Sequence, residues 1–129
     1  MKQILIDTNV YSHAFKGDPE IISVLQRSEM IGISTISIGE LLSGFKRGAL
    51  EHKNRKELEE FLNKPRVRVY GIDRYTPEFY AQILEQLKKI GKPIPTNDIW
   101  IAAVALQHGL EFFTKDRHFN HISGLTLIS

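Results

Sequence analysis

The stretch KQILIDTNVYSHAF, residues 2–15, decides how the rest of the chain is read. Three apolar residues, Ile4-Leu5-Ile6, run straight into a charged Asp7, with Thr8 and Asn9 behind it. So short an apolar run with polar flanks marks a strand buried on both faces of a sheet. The acid at its end is either a helix cap or one half of some chemistry. One acid does not decide between them, so its partners must be sought further along.

Outward from that strand the chain alternates. A short helix is expected around 8–15, and Asp18 caps a second that opens on Pro19 and runs to about residue 27. A strand over 31–34 leads to a helix from 38 to about 46, and a charged amphipathic helix covers 50–63 with Leu58, Phe61 and Leu62 on its apolar side. After a strand over 67–70, Thr76-Pro77 opens a helix that Gly91 closes. The loop GKPIPTN precedes a helix over 98–108 ended by Gly109, then a strand over 111–114 and a fifth over 125–128. Strands separated by helices predict an α/β fold: a single domain over 1–129 with a mostly parallel sheet of four to five strands and helices on both faces.

Composition narrows the classes. A chain of 129 residues, 42% hydrophobic and 25% charged, has the balance of a soluble globular domain. Without cysteine it has no disulfide framework, thiolate nucleophile or thiolate metal site. The apolar run in MKQILIDTN is too short for a signal peptide or membrane helix, so the expected location is the cytoplasm, with no membrane partner. Net charge is only +2, but the cations come in bunches: Lys46-Arg47, 53–56, 64–68, Lys88-Lys89 and Lys115-Arg117-His118. Each bunch is either a solvated face or a landing place for phosphates.

Ligands of open α/β sheets bind outside the carboxyl ends of the strands. Asp7 ends the first strand, Glu40 within STISIGELLSG falls in the first turn of the helix after the second strand, Asp98 opens a helix apolar nearly all round, and Asp116 follows the strand EFFT. Each has a plain structural explanation: Asp7 as a cap, Ser37-x-x-Glu40 as a capping box, Asp98 at the positive end of a helix dipole, Asp116 in a turn. Those explanations leave unexplained why all four face one edge. Two carboxylates ~4 Å apart repel by about 4 kcal/mol at an effective dielectric of roughly 20, so such a cluster calls for protons or a cation. Oxygen ligands without sulfur select hard ions such as Mg²⁺ or Mn²⁺, which activate water and stabilise a phosphodiester in flight.

ILIDTNVY, STISIGELLSG, PTNDIWIAAVALQHG and FFTKDRHFNHISGL, in this order, resemble the PIN-domain ribonucleases, most closely the VapC-type toxins of bacterial and archaeal toxin–antitoxin pairs. The resemblance covers essentially the whole chain. It implies an endoribonuclease with one or two Mg²⁺ or Mn²⁺ ions, leaving a 5′-phosphate and a 3′-hydroxyl. Carried over residue by residue, the catalytic and metal-binding acids are Asp7, Glu40, Asp98 and Asp116, with Asp7, Asp98 and Asp116 on the metal and Glu40 completing the site or orienting the water. Thr8 and Thr114 match small hydroxyl residues beside those acids, and Lys115 and Arg117 are candidate RNA contacts. A VapB-like antitoxin whose C-terminal segment covers the cleft, and a homodimer, are implied as well.

Other readings are weaker. His118 and His121 are spaced for a zinc pair but have no third nitrogen or sulfur ligand in view. Trp100 suits packing better than base stacking. A haloacid-dehalogenase-type phosphatase needs a second aspartate two residues after the first, where this chain has Asn9. The alternative that stays open is a non-catalytic PIN-like domain binding RNA or a partner, whose hallmark would be a gap in the acidic set.

Overall fold

A computed structural model describes residues 3–128. Its elements follow in the order β1 (Gln3–Ile6), α1 (Thr8–Phe15), α2 (Pro19–Arg27), β2 (Met30–Ser34), α3 (Thr35–Arg47), α4 (Glu51–Leu62), β3 (Val67–Tyr70), α5 (Thr76–Ile90), α6 (Thr96–His108), β4 (Glu111–Phe113), a 3₁₀ helix (Arg117–His121) and β5 (Leu127–Ile128). The strands form one parallel sheet in the order β3-β2-β1-β4-β5.

Alternation along β1 assigns its two faces. Ile4 and Ile6 pack with Val10, Ile21, Leu41, Leu58 and Phe61, so α1 to α4 cover one side. Leu5 turns the other way, into a core built from α5, α6 and Phe119 of the 3₁₀ helix. Phe112 and Phe113 split between the cores in the same way. In α6 Ile99 and all five residues from Ile101 to Ala105 are buried, as its nearly continuous apolar sequence predicts. Gly91 and Gly109 end α5 and α6 at φ 66° and 63°, the left-handed cap that glycine adopts without strain.

Several elements differ from the sequence reading; α6, for one, starts at Thr96 rather than 98. α3 starts at Thr35 rather than 38, because β2 runs into the helix without a loop and Ser34, its last residue, is the cap. β5 shrinks to two residues. The turn expected at KDRH is a 3₁₀ helix, a form too short to leave a sequence period.

Candidate active site

Topology opens the site. The chain winds from β1 to β2 and β3 on one side, then returns to lay β4 and β5 on the other. Connections therefore leave the carboxyl ends of β1 and β4 in opposite directions, and the crevice between them stays open to ligands. Asp7 follows β1 directly, Thr114 follows β4, and Thr114 Oγ1 donates to Asp7 Oδ2 at 2.8 Å.

Asp7 is also the N-cap of α1, its Oδ1 accepting the Thr8 N–H at 2.8 Å. The capping and pocket readings of this acid thus hold together. Its side chain is almost fully covered. Burial raises its pKa; the Thr114 and Thr8 hydrogen bonds pull it back, and the charges of Glu40 and Asp116 push it up again.

Glu40 requires a correction. It lies in the second turn of α3, not the first, and the Ser37-x-x-Glu40 box does not form. Ser34 Oγ takes the Ser37 N–H at 3.1 Å instead, which frees the Glu40 carboxylate to reach across the crevice. There Oε1 accepts from Thr8 Oγ1, and Oε2 lies 3.5 Å from Asn97 Nδ2. Thr8 has one proton and gives it to the carboxylate, so the Ser37 hydroxyl 2.8 Å away is the donor to Thr8. Sequence reasoning overlooked Ser34 and Asn97 and gave Ser37 only a capping role; two serines three apart at a strand–helix junction were the available signal.

Asp98 sits in the first turn of α6, where the helix dipole favours a negative charge. Even so its pKa is raised to about 6, chiefly by burial, against the lowering pull of His118 and with further upward pressure from Asp7 and Glu40. Asp116 caps the 3₁₀ helix by accepting the His118 N–H at 3.1 Å, and its own N–H donates to Thr114 Oγ1 at 3.0 Å. Thr114 therefore joins Asp7 to Asp116.

All four acids line one cavity of about 550 Å³, together with Thr8, Asn9 and Asn97. Among the described residues, one group of three His, Asp or Glu side chains is compact enough to hold a metal: Asp98, Asp116 and His118, with ligand atoms within 4.8 Å of one another. His118 Nε2 lies 2.8 Å from Asp98 Oδ2 and Nδ1 3.2 Å from Asp116 Oδ1. Nε2 is covered and off the line of a hydrogen bond, a polar atom in contact but without an aligned partner. Crowded carboxylates lining one cavity, two of them in contact with an imidazole, fit a divalent cation.

The remaining candidates lie apart. Lys115 pairs with Glu20 of α2 and, with Arg117, lines a neighbouring cavity of about 420 Å³ that shares Asp116 with the first. Trp100 stacks on Tyr80 of α5 with ring centroids 4.1 Å apart, as the packing reading expects. His121 is outside the donor group, so His118 associates with acids rather than with a second histidine.

Fold and site together define a parallel α/β domain with an acid-lined cleft at its switch point. The PIN domain family model matches residues 4–125, and the chain belongs to that family. It is 32% identical to VapC ribonuclease Y4jK of Sinorhizobium fredii, over 98% of this chain and 96% of the relative. It is 26% identical to Ribonuclease VapC4 of Mycobacterium tuberculosis, over 100% and 98%. A solved structure described as DNA-bound VapBC from Salmonella typhimurium superposes with a TM-score of 0.87 at 27% identity, over 99% of this chain and 98% of the other.

Proposed function

We propose that this chain is a metal-dependent endoribonuclease acting as the toxin of a VapBC-type toxin–antitoxin pair. One observation carries the reading: Asp7, Glu40, Asp98 and Asp116 converge on a single cavity, in a chain whose relatives are named VapC ribonucleases. Asp7, Asp98 and Asp116 would hold the cation, Mg²⁺ or Mn²⁺. Bound there, it supplies Lewis acidity toward a phosphodiester and lowers the pKa of a coordinated water.

The chain's own groups orient the rest. Thr114 holds Asp7, and the backbone N–H of Asp116 closes on Thr114, so two acids keep their spacing as charge builds up. Glu40, held by Thr8 and Asn97 from opposite sides, is the base placed to accept a proton from the attacking water. Hydrolysis of the P–O3′ bond leaves a 5′-phosphate and a 3′-hydroxyl. Lys115 and Arg117 border a cavity next to the acids and serve the RNA backbone beyond the scissile phosphate.

The partner is a VapB-like antitoxin. A groove of about 260 Å³, lined by the aromatic rings of Tyr11, Phe15 and Phe45 and by Lys16, Lys53, Asn54 and Glu57, shares Ser12 and Phe45 with the acidic cavity, so an amphipathic segment lying in it can reach the acids with a basic side chain. No described helix is long and apolar enough to cross a membrane, and the proposed location is the cytoplasm. We also expect a single domain that forms a homodimer, to be read by light scattering.

The test is cleavage of total RNA by purified protein with Mg²⁺, Mn²⁺ or EDTA, alongside Asp7→Asn. Discrete fragments that need metal and disappear in the variant are expected. Cleavage that survives both EDTA and Asp7→Asn would overturn the reading.

A further inference from the structure

We propose that His118 is itself a ligand of the divalent cation, through Nε2, and that it biases the site toward first-row transition ions over Mg²⁺. The proposal deepens the metal-dependent reading above and rests on it.

The argument begins in the backbone. Asp116 accepts the N–H of His118, so capping of the 3₁₀ helix holds this acid and this imidazole in one fixed relation. The ring is then set from behind by Phe119, 4.6 Å away between centroids and itself fully buried against Phe112. So braced, it sends one nitrogen toward each acid: Nε2 2.8 Å from Asp98 Oδ2 and Nδ1 3.2 Å from Asp116 Oδ1. The imidazole stands between two carboxylates that come from different elements, α6 and the 3₁₀ helix.

A covered ring nitrogen ordinarily has a hydrogen-bond partner, since leaving one unmade costs free energy. Nε2 is covered, and its near polar neighbour, Asp98 Oδ2 at 2.8 Å, is poorly aligned for a hydrogen bond. A cation shared with Asp98 and Asp116 would replace that poorly aligned contact, because the Nε2 lone pair of a neutral imidazole is a metal ligand. These three side chains form the compact donor group; Asp98 and Asp116 line the acidic cavity with Asp7 and Glu40, and His118 joins those two from beyond its lining. The tightest part of the site is thus two oxygens and a nitrogen rather than four carboxylates.

That composition has a consequence for the metal. Mg²⁺ takes oxygen ligands and sheds water reluctantly, whereas imidazole suits first-row transition ions. A site with His118 in its coordination shell therefore discriminates between Mg²⁺ and Mn²⁺ where an all-carboxylate site does so weakly. A ring that only neutralised the acids would give no such discrimination and no metal–nitrogen bond.

Pulsed electron paramagnetic resonance on the full chain loaded with Mn²⁺ reads the bond directly. A ¹⁴N modulation is expected in the wild type, lost in His118→Gln, kept in His121→Gln, and converted to ¹⁵N when only histidine is ¹⁵N-labelled. The labelled wild type decides the matter even if the His118 variant fails to fold. By calorimetry His118→Gln should lower Mn²⁺ affinity by about tenfold or more, the scale seen for losing even an outer partner of a ligand, with a much smaller change for Mg²⁺. Bound Mn²⁺ without histidine nitrogen coupling, or an equal loss for both ions, would overturn the proposal and leave the nuclease reading intact. Failure of the wild type to bind Mn²⁺ at all would overturn both.

Discussion

Asp7 shows how one side chain serves folding and chemistry at once. It caps α1, is tied to Thr114, and is forced to carry its charge in a covered place beside two other acids. Asp7→Asn keeps an oxygen for the Thr8 N–H, and the Thr114 hydroxyl can rotate to accept from the new amide. The metal-free variant should melt no lower than the wild type while RNA cleavage disappears; a marked drop in melting temperature would make the cap its dominant role. Asp98 carries the pH dependence. Its folded pKa, about 6, lies above the ordinary aspartate value of 3.8, so the folded state binds this proton more tightly than the unfolded state. The resulting stabilisation is complete below the unfolded value and is lost as pH rises through about 6. In EDTA, the difference in melting temperature between Asp98→Asn and wild type should therefore grow from acid to neutral pH, in favour of the variant. A difference that is flat with pH would remove this account of Asp98.

At the scale of elements, α6 and α3 present opposite cases. α6 is readable in sequence because its apolar residues run nearly all round, and only burial between sheet and helix accommodates that pattern. Ile101, fully covered there, should lose about 2–5 kcal/mol on substitution by alanine, measurable by urea unfolding. α3 misleads, because its start contains two serines that compete for the cap. Ser34 wins as the last residue of a buried strand, already fixed in extended geometry when the helix begins. Ser34→Ala should cost about 0.5–2 kcal/mol, and because Ser37 then loses its anchor next to Thr8, cleavage should fall as well. Stability lost with cleavage intact would confine Ser34 to a structural role. The 3₁₀ helix is the least legible element: five residues have no period, and its existence depends on Asp116 capping it and Phe119 plugging into the core.

The molecule as a whole is a sheet that brings like charges together and so stays poised for a cation. Mn²⁺ should raise the melting temperature of the wild type, by the equivalent of about 2.7 kcal/mol at a hundredfold excess over its dissociation constant, and hardly at all when Asp98 and Asp116 are both asparagine. A thermal scan with and without Mn²⁺ checks both. Most of this architecture can be reached from the amino acids alone, since apolar runs, helical spacing and glycine stops are local properties that hold whatever the rest of the chain does. The alternation of strands and helices then requires a parallel sheet, and a parallel sheet puts Asp7, Glu40, Asp98 and Asp116 toward one edge. Contacts between residues far apart in the chain are another matter. Thr114 on Asp7, Thr8 on Glu40 and the His118 ring against Asp98 span separations no local pattern encodes. They arise only when α3 packs beside α1, β4 is laid beside β1 and α6 packs across the sheet, because hydrogen bonds and charges act over a few ångströms in space and take no account of distance along the chain.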